Sequence, residues 1–456
     1  MLKYYKTAKE ITMNKNATVI NRESIENWRD QKFGMFIHYG LYSVQGRGEW
    51  AMFIEQQDID EYKKLANDFT AENFDADKWA KIAKSAGMKY MVLTAKHHDG
   101  FSLWDSKSCM EDHTVMNSAC KRDLIKEYTT ACRENGLMVG LYYSPLDWRF
   151  PGFFAPRLYK TNAKALVKQT HDQIRELLTG YGKIDLLWFD GAEDFWVAQG
   201  LRLNLLRRPE DFRTNIQVED FWKAKDLDKF IRETQKGIIC NDRIGDKSYG
   251  DYFAPEKKIG EYNVVDPWET CDTLTDDWGY HPGAKIRSLR NVLNLLVKVV
   301  CNGGNLLLNV APRPDGSFEP NEIKRLEEVG AWLEKYGESI YGTRGGPISC
   351  GDFGGTTHKD NNLYFHVLDW NEDEILIPDV GSPKITSLTG ANLTVNKENG
   401  LIKISVSDKD KLEMDTIIKL TYQKPVKEIF ASDIDYKELS KKRSYSSDAI
   451  IVADVK

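Results

Sequence analysis

Short apolar runs of β type alternate with amphipathic helical stretches along the first 340 or so residues, and no other feature limits the fold as much. The runs are Phe33–His38, Tyr90–Ala95, Met138–Tyr143, Ile184–Phe189, Gly237–Cys240 and Leu306–Val310. Helical periodicity fills Asp77–Ala86, Asp123–Asn135, Ala163–Thr179, Lys225–Thr234 and Arg287–Val300 between them. Strands that alternate with helices build a parallel sheet. An open doubly wound sheet and a closed barrel share this rhythm, and the position of the polar residues separates them. His38, His97-His98-Asp99, Tyr143-Ser144, Asp190, Asn241-Asp242-Arg243, Trp268-Glu269 and Asn309 read as strand ends. A barrel site draws its chemistry from the C-terminal ends of many strands. A dinucleotide fold concentrates it in one Gly-rich turn, and no G-x-G-x-x-G follows a strand here.

The rhythm changes after the amphipathic stretch Glu322–Glu334. Glycines cluster from Gly342 to Gly355. Strand patterns then follow without helices, at Leu363–Leu368, Glu374–Ile377, Ile385–Leu388, Leu401–Val406 and Thr416–Thr421. Such spacing predicts a β-sandwich. The expected fold is therefore α/β: a (β/α)8-like barrel followed by a small C-terminal β-sandwich. The expected division is an N-terminal extension over 1–25, the barrel over 26–342 and the sandwich over 343–456. The 456 residues suit one barrel of about 250 residues with insertions plus a small domain. The segment Gly191–Asp226 is long for a strand-to-helix loop and reads as a functional insertion.

Composition removes several function classes. Lys plus Arg number 63 against 69 Asp plus Glu, with no long basic block, so no nucleic-acid partner is expected. No apolar run approaches the ~20 residues of a membrane span, so no membrane partner is expected. The seven cysteines are odd in number and lack a C-x-x-C pair, which fits neither a disulfide framework nor a zinc site. A homo-oligomer is compatible with the sequence. Met1–Val19 carries no apolar signal core. The chain reads as cytoplasmic, or as periplasmic or secreted had a signal been trimmed.

Asp190-Gly191, directly after the run Ile184–Phe189, is the sharpest candidate; the bland reading is a helix cap. His97 and His98 suit polar substrate contacts. With His38 they form the weaker alternative of a metal site, since no third His sits in a partner motif. Glu49-Trp50, Trp268-Glu269 and Asp277-Trp278 pair acids with indoles. Indole faces stack on sugar C–H faces while carboxylates accept hydroxyl protons. Trp28, Trp79 and Trp332 read as core; Trp50, Trp188, Trp268 and Trp278 read as site residues. Asn241-Asp-Arg243 and Glu256, which follows Pro255, supply a second set of charges. Glycoside hydrolysis needs two carboxyl groups around the scissile bond. No G-x-S-x-G, Walker or H-E-x-x-H motif competes, so no metal or cofactor is called for.

Several of these residues lie in longer motifs: Phe33-Gly-Met-Phe-Ile-His-Tyr-Gly-Leu-Tyr-Ser43, Gly48-Glu-Trp50, Leu93-Thr-Ala-Lys-His-His-Asp-Gly-Phe-Ser-Leu-Trp-Asp105, Tyr142-Tyr-Ser144, Leu187-Trp-Phe-Asp-Gly191 and Asn305-Leu-Leu-Leu-Asn309. In this order they resemble the α-L-fucosidases of glycoside hydrolase family 29. The resemblance implies a retaining exo-acting fucosidase with a barrel and a C-terminal sandwich, acting on fucosylated oligosaccharides or glycans. It implies Asp190 as nucleophile and Glu256 as acid/base, with Glu269 next in line and Glu49 third. It implies fucose contacts from His38, Glu49, Trp50, His97, His98, Tyr143, Trp188, Arg243 and Trp278, with Glu269 also at the substrate. Trp278 would face the C5 methyl, a group worth about 0.8 kcal/mol when buried. Tyr39 stands where the family usually has Trp, which would alter a wall of the pocket. The 191–226 insertion would shape the leaving-group side. The alternative is a non-catalytic fucose-binding protein on a degenerate barrel.

Overall fold

The computed structural model describes residues 19–192, 197, 221–348, 350–351, 353–370, 374–430 and 449–451. Seven parallel strands form the first sheet: β1 (Phe33–Ile37), β2 (Tyr90–Lys96), β3 (Met138–Tyr143), β4 (Leu186–Phe189), β5 (Ile239–Cys240), β6 (Glu269–Thr273) and β7 (Asn305–Val310). Their order is β5-β4-β3-β2-β1-β7-β6. The stretch 252–256 spans the gap between the two outer strands through single parallel bridges: Asn241 to Tyr252, Phe253 to Trp268 and Glu256 to Cys271. It occupies the eighth position of the ring. Pro255 lacks an N–H, so a regular ladder cannot run through it. This irregular closure carries Glu256 to the barrel mouth.

Alternation along the strands assigns one face to the barrel interior. Phe36, Tyr90, Val92, Tyr142, Leu186, Trp188, Tyr252 and Leu307 fill it, joined by Trp28 from helix α1 (Val19–Gln31). The Trp28 ring lies 4.4 Å from that of Tyr252. Its carbonyl accepts a hydrogen bond from Asn305 Nδ2 at the start of β7. The opposite faces pack on α2 (Ala76–Ser85), α3 (Leu124–Glu134), α4 (Lys160–Gly180), α5 (Ala224–Thr234), α6 (Leu289–Cys301) and α7 (Pro320–Tyr336). Asp75, Asp123 and Ser288 cap α2, α3 and α6 through their side chains.

The second part is a pair of sheets. One has the order β12-β15-β10-β9-β8 and the other β13-β14-β11-β16. Their strands are β8 (Arg344–Gly345), β9 (Gly354–Lys359), β10 (Asn362–Val367), β11 (Glu374–Pro378), β12 (Lys384–Ser387), β13 (Leu393–Glu398), β14 (Leu401–Val406), β15 (Thr416–Thr421) and β16 (Ala449–Ile451). Leu363, Phe365, Ile377, Ile404 and Ile418 form the core between them. The barrel-plus-sandwich expectation therefore matches the fold.

One element differs in a way that matters. Glu269 opens β6 rather than ending a strand, because Glu269-Thr-Cys-Asp-Thr273, polar in sequence, is itself a fully buried strand. Most of the 191–226 insertion lies outside the described residues.

Gly34 on β1 makes room for the Tyr90 ring to cross the interior. A Cβ there would lie 2.3 Å from Tyr90 Cε2. Gly34→Ala is expected to overpack this layer and to lower the unfolding free energy by about 1–3 kcal/mol in a denaturant titration. An unchanged midpoint would show that the ring has room to spare.

Candidate active site

A cavity of about 670 Å³ opens at the C-terminal ends of the strands. Ten of the expected residues meet there: His38, Glu49, Trp50, His97, His98, Trp188, Asp190, Arg243, Glu256 and Trp278. Trp268 lines it as well, while Trp28, Trp79 and Trp332 are core.

Asp190 follows β4, and two donors hold its carboxylate. Arg243 Nη1 donates to Oδ1 at 2.8 Å, and Tyr142 Oη donates to Oδ2 at 3.0 Å. His98 Nε2 lies 3.5 Å from Oδ2. Burial alone would raise the Asp190 pKa. The Arg243 charge and the hydrogen bonds from Arg243 and Tyr142 outweigh it and hold the carboxyl below its ordinary value. Gly191, at φ +79°, then turns the chain away. A Cβ there would meet Leu146 at 2.7 Å and His98 at 3.2 Å, so only glycine lets this turn pass so close to the site.

Arg243 links the two halves of the mouth. Besides Asp190, its Nη1 lies 3.3 Å from Glu256 Oε2, and Nη2 donates to the Ala254 carbonyl at 2.8 Å. Its guanidinium lies over the Trp188 ring, 4.8 Å from the centroid. One nitrogen therefore serves both carboxylates. Their nearer oxygens are consequently no more than about 6 Å apart. Glu256 is the more open of the two, with its side chain 45% exposed.

The histidines are set by their outer nitrogens. Asn309 Nδ2 donates to the Trp278 carbonyl, which turns Asn309 Oδ1 toward His38 Nδ1 at 2.7 Å. The proton of His38 therefore sits on Nδ1 and its Nε2 is an acceptor. Ser144 Oγ donates to the Leu146 carbonyl, so it accepts from His98 Nδ1 at 2.6 Å. Again Nε2 is left as an acceptor. Burial lowers the His38 and His98 pKa to about 4 and pushes His97 well below its ordinary value, so all three rings are neutral at pH 7. Glu49 Oε2 accepts the Gly279 N–H at 2.8 Å, tying the Trp278 loop down, and burial raises its pKa. Among the described residues, no three His, Cys, Asp or Glu side chains are grouped to hold a metal ion. Neutral imidazole acceptors, an ionised carboxylate and four indoles suit a polyhydroxylated ligand with apolar faces.

Three expectations are corrected. Tyr143 points away from the cavity and donates to Gln173 Oε1 at 2.8 Å; its neighbour Tyr142 is the cavity residue. Successive strand residues face opposite sides, and only the known end of β3 fixes which of two tyrosines faces inward. Glu269 does not line the cavity. It lies below Trp188 with no exposure, at the start of β6. Tyr39 is not a pocket wall: it is core, donating to the Pro314 carbonyl at 2.8 Å and packing on Trp79. Asp99 also sits behind the site, accepting from Tyr62 Oη and the Phe101 N–H. Phe36, Lys247 and Phe253 line the cavity and were not expected, and Asp242 of the Asn241–Arg243 set lines it too. For Phe36 the signal was its parity with His38.

A barrel mouth with two facing carboxyl groups among indoles defines a glycoside hydrolase architecture. The profile of the family described as α-L-fucosidase matches residues 1–338. Human plasma α-L-fucosidase is 32% identical over 351 residues, 71% of each chain. The structure of α-L-fucosidase isoenzyme 1 from Paenibacillus thiaminolyticus superposes with a TM-score of 0.76 at 34% identity, covering 89% of this chain and all of that one. A family 29 α-L-fucosidase from Bacteroides thetaiotaomicron, trapped as a covalent intermediate with 2-fluoro-fucosyl fluoride, gives a TM-score of 0.75 at 26% identity. That match covers 88% of this chain and 96% of that one. The chain belongs to the α-L-fucosidases of glycoside hydrolase family 29.

A histidine depressed by burial stays neutral well below pH 6.5. Ring-carbon NMR titration of His38 and His98 is expected to give midpoints near 4. Midpoints near 6.5 would mean that the rings are solvated. The sign for stability follows: this contribution is present above pH 6.5 and is lost as pH falls toward 4.

Proposed function

We propose that this chain is a retaining exo-acting α-L-fucosidase that releases terminal α-L-fucose from fucosylated oligosaccharides or glycans. Asp190 is its nucleophile and Glu256 its acid/base. The observation that carries this reading is the single Arg243 nitrogen between the two carboxylates, which keeps their nearer oxygens within about 6 Å. Inverting enzymes hold the pair about 6.5–9.5 Å apart to admit a water, and retaining ones about 5–5.5 Å. The catalytic unit is residues 26–342, after an N-terminal extension, and residues 343–456 form the accessory sandwich.

In the first step an Asp190 oxygen attacks the anomeric carbon while Glu256 gives its proton to the departing glycosidic oxygen. In the second, Glu256 takes a proton from water, whose oxygen displaces Asp190 from the same carbon. The ionised state of Asp190 suits the nucleophile, and the openness of Glu256 suits a group that must meet both leaving group and water. His38 and His98 accept sugar hydroxyl protons on Nε2. Phe36 and Trp278, with ring centroids 5.9 Å apart beside His38, offer the apolar corner that a deoxy sugar's methyl needs. Glu49, Trp50, His97, Tyr142 and Trp188 complete the fucose subsite.

Asp190→Gly is expected to cut turnover of an aryl α-L-fucoside roughly 10⁴-fold or more, with partial rescue by azide as a fucosyl azide forms. Full activity in that variant would overturn the nucleophile assignment, and fucose binding by the wild type without any release would favour the binding-protein alternative. Glu256→Ala is expected to lose about 10²–10⁴-fold on a natural fucoside and much less on an activated aryl fucoside. If Glu269→Ala showed that split instead, the acid/base would be misassigned.

A further inference from the structure

Glu269 is a carboxyl group that the proposed chemistry leaves unused. It lies wholly inside the barrel, below the cavity floor. Its Oε1 accepts the Trp188 Nε1–H at 3.3 Å and its Oε2 accepts the Tyr90 hydroxyl at 2.5 Å. Other polar groups turned toward this centre are the Tyr252 hydroxyl from the closing stretch and Cys271 from the same strand. Trp28 from α1 and Asn305 from β7 reach Tyr90. None of these carries a positive charge. A carboxyl buried without a counter-ion is driven to its neutral form, and burial raises the Glu269 pKa to about 8. At pH 7 it is a neutral acid, better suited to hold hydrogen bonds than to act as a charge.

What it holds is Trp188. Tyr142 stacks on that indole at 5.6 Å and 17°, and Phe36 packs on it at 5.1 Å. The Arg243 guanidinium rests over the same ring. Tyr142 and Arg243 are the two side chains that hydrogen-bond Asp190. An indole pinned by its N–H cannot turn in its plane, and both neighbours depend on where its face lies. We infer that Glu269 is a positioning residue of the reaction: through its hydrogen bond to Trp188 it fixes the two groups that hold Asp190. This inference rests on the reading of Asp190 as nucleophile.

The role asks for an acceptor of the right shape, not for a charge, and that separates it from an acid/base role. Glu269→Gln keeps a carbonyl oxygen for the indole. Glu269→Leu keeps the bulk and removes the acceptor. For an activated aryl fucoside, Glu269→Leu is expected to lower kcat about 10–100-fold with little change in KM, as small displacements of reacting groups do. The acidic limb of its kcat/KM profile is expected to move to higher pH as Asp190 loses its partners. Glu269→Gln is expected to restore kcat to within about threefold of wild type, the scale of a hydrogen bond kept in altered form. A folded Glu269→Leu with wild-type kcat and acidic limb, merely a lower Tm, would overturn the inference.

Should Glu269→Leu fail to fold, the Trp188→Phe background decides, because phenylalanine has no N–H to hold. Glu269→Gln is then expected to change nothing further there, although it perturbs kcat slightly in the wild type. An equal effect in both backgrounds would overturn the inference. Asp190→Gly with azide keeps the two readings apart. If that variant is fully active, the nucleophile assignment falls. If it is inactive and rescued while Glu269→Leu behaves as wild type, only the positioning role falls.

Discussion

The guanidinium of Arg243 touches two carboxylates from one nitrogen while its face rests on Trp188, and the rest of the site is arranged around that contact. An ionised Asp190 among aromatic rings is tolerable only when it is paired and hydrogen-bonded. Arg243 supplies the charge, and Tyr142 supplies a second donor. The same nitrogen draws Glu256 close without burying it, so one carboxylate is held ionised and confined while the other stays open. A single cation thus separates two chemically identical groups into two environments.

That contact depends on how the barrel closes. A regular strand at 252–256 would keep its residues in the wall. Pro255 prevents a continuous ladder, and single bridges at Phe253 and Glu256 replace it. The stretch still donates and accepts enough backbone bonds to hold its place. The Phe253 N–H reaches the Pro267 carbonyl, and the Cys271 N–H reaches the Pro255 carbonyl. The irregularity at the weakest point of the sheet is what brings Glu256 to the mouth beside the Ala254 carbonyl that anchors Arg243.

Below the mouth lies an unusual interior layer. Trp28, Tyr90, Tyr252 and Glu269 fill it where branched aliphatic residues would ordinarily pack a barrel. Burying a carboxyl costs free energy unless it is neutral and hydrogen-bonded. Glu269 meets both conditions, and the bond it makes is to the cavity floor. Gly34 belongs to the same arrangement, since it clears the path by which Tyr90 reaches Glu269. The floor of the site is therefore set two layers deep.

The sequence by itself determined the barrel-and-sandwich architecture, because the spacing of apolar residues follows directly from strand and helix periods. It also determined most of the cavity set. His38, His97, His98, Trp188 and Asp190 stand at or just beyond the ends of recognisable apolar strands, and Glu49, Trp50 and Trp278 pair acids with indoles. Three matters were decided only in three dimensions. Tyr142 and Tyr143 are adjacent and chemically alike, and only the pairing of β3 with its neighbours fixes which faces inward. Glu269 sits in a strand with no apolar signature, so its depth, and with it its distance from the substrate, followed from burial rather than from pattern. Tyr39, one residue past His38, faces the helices and not the cavity for the same two-residue reason. Which residues are polar is written along the chain. Which of them meet depends on parity and strand register, and those exist only once the sheet has closed.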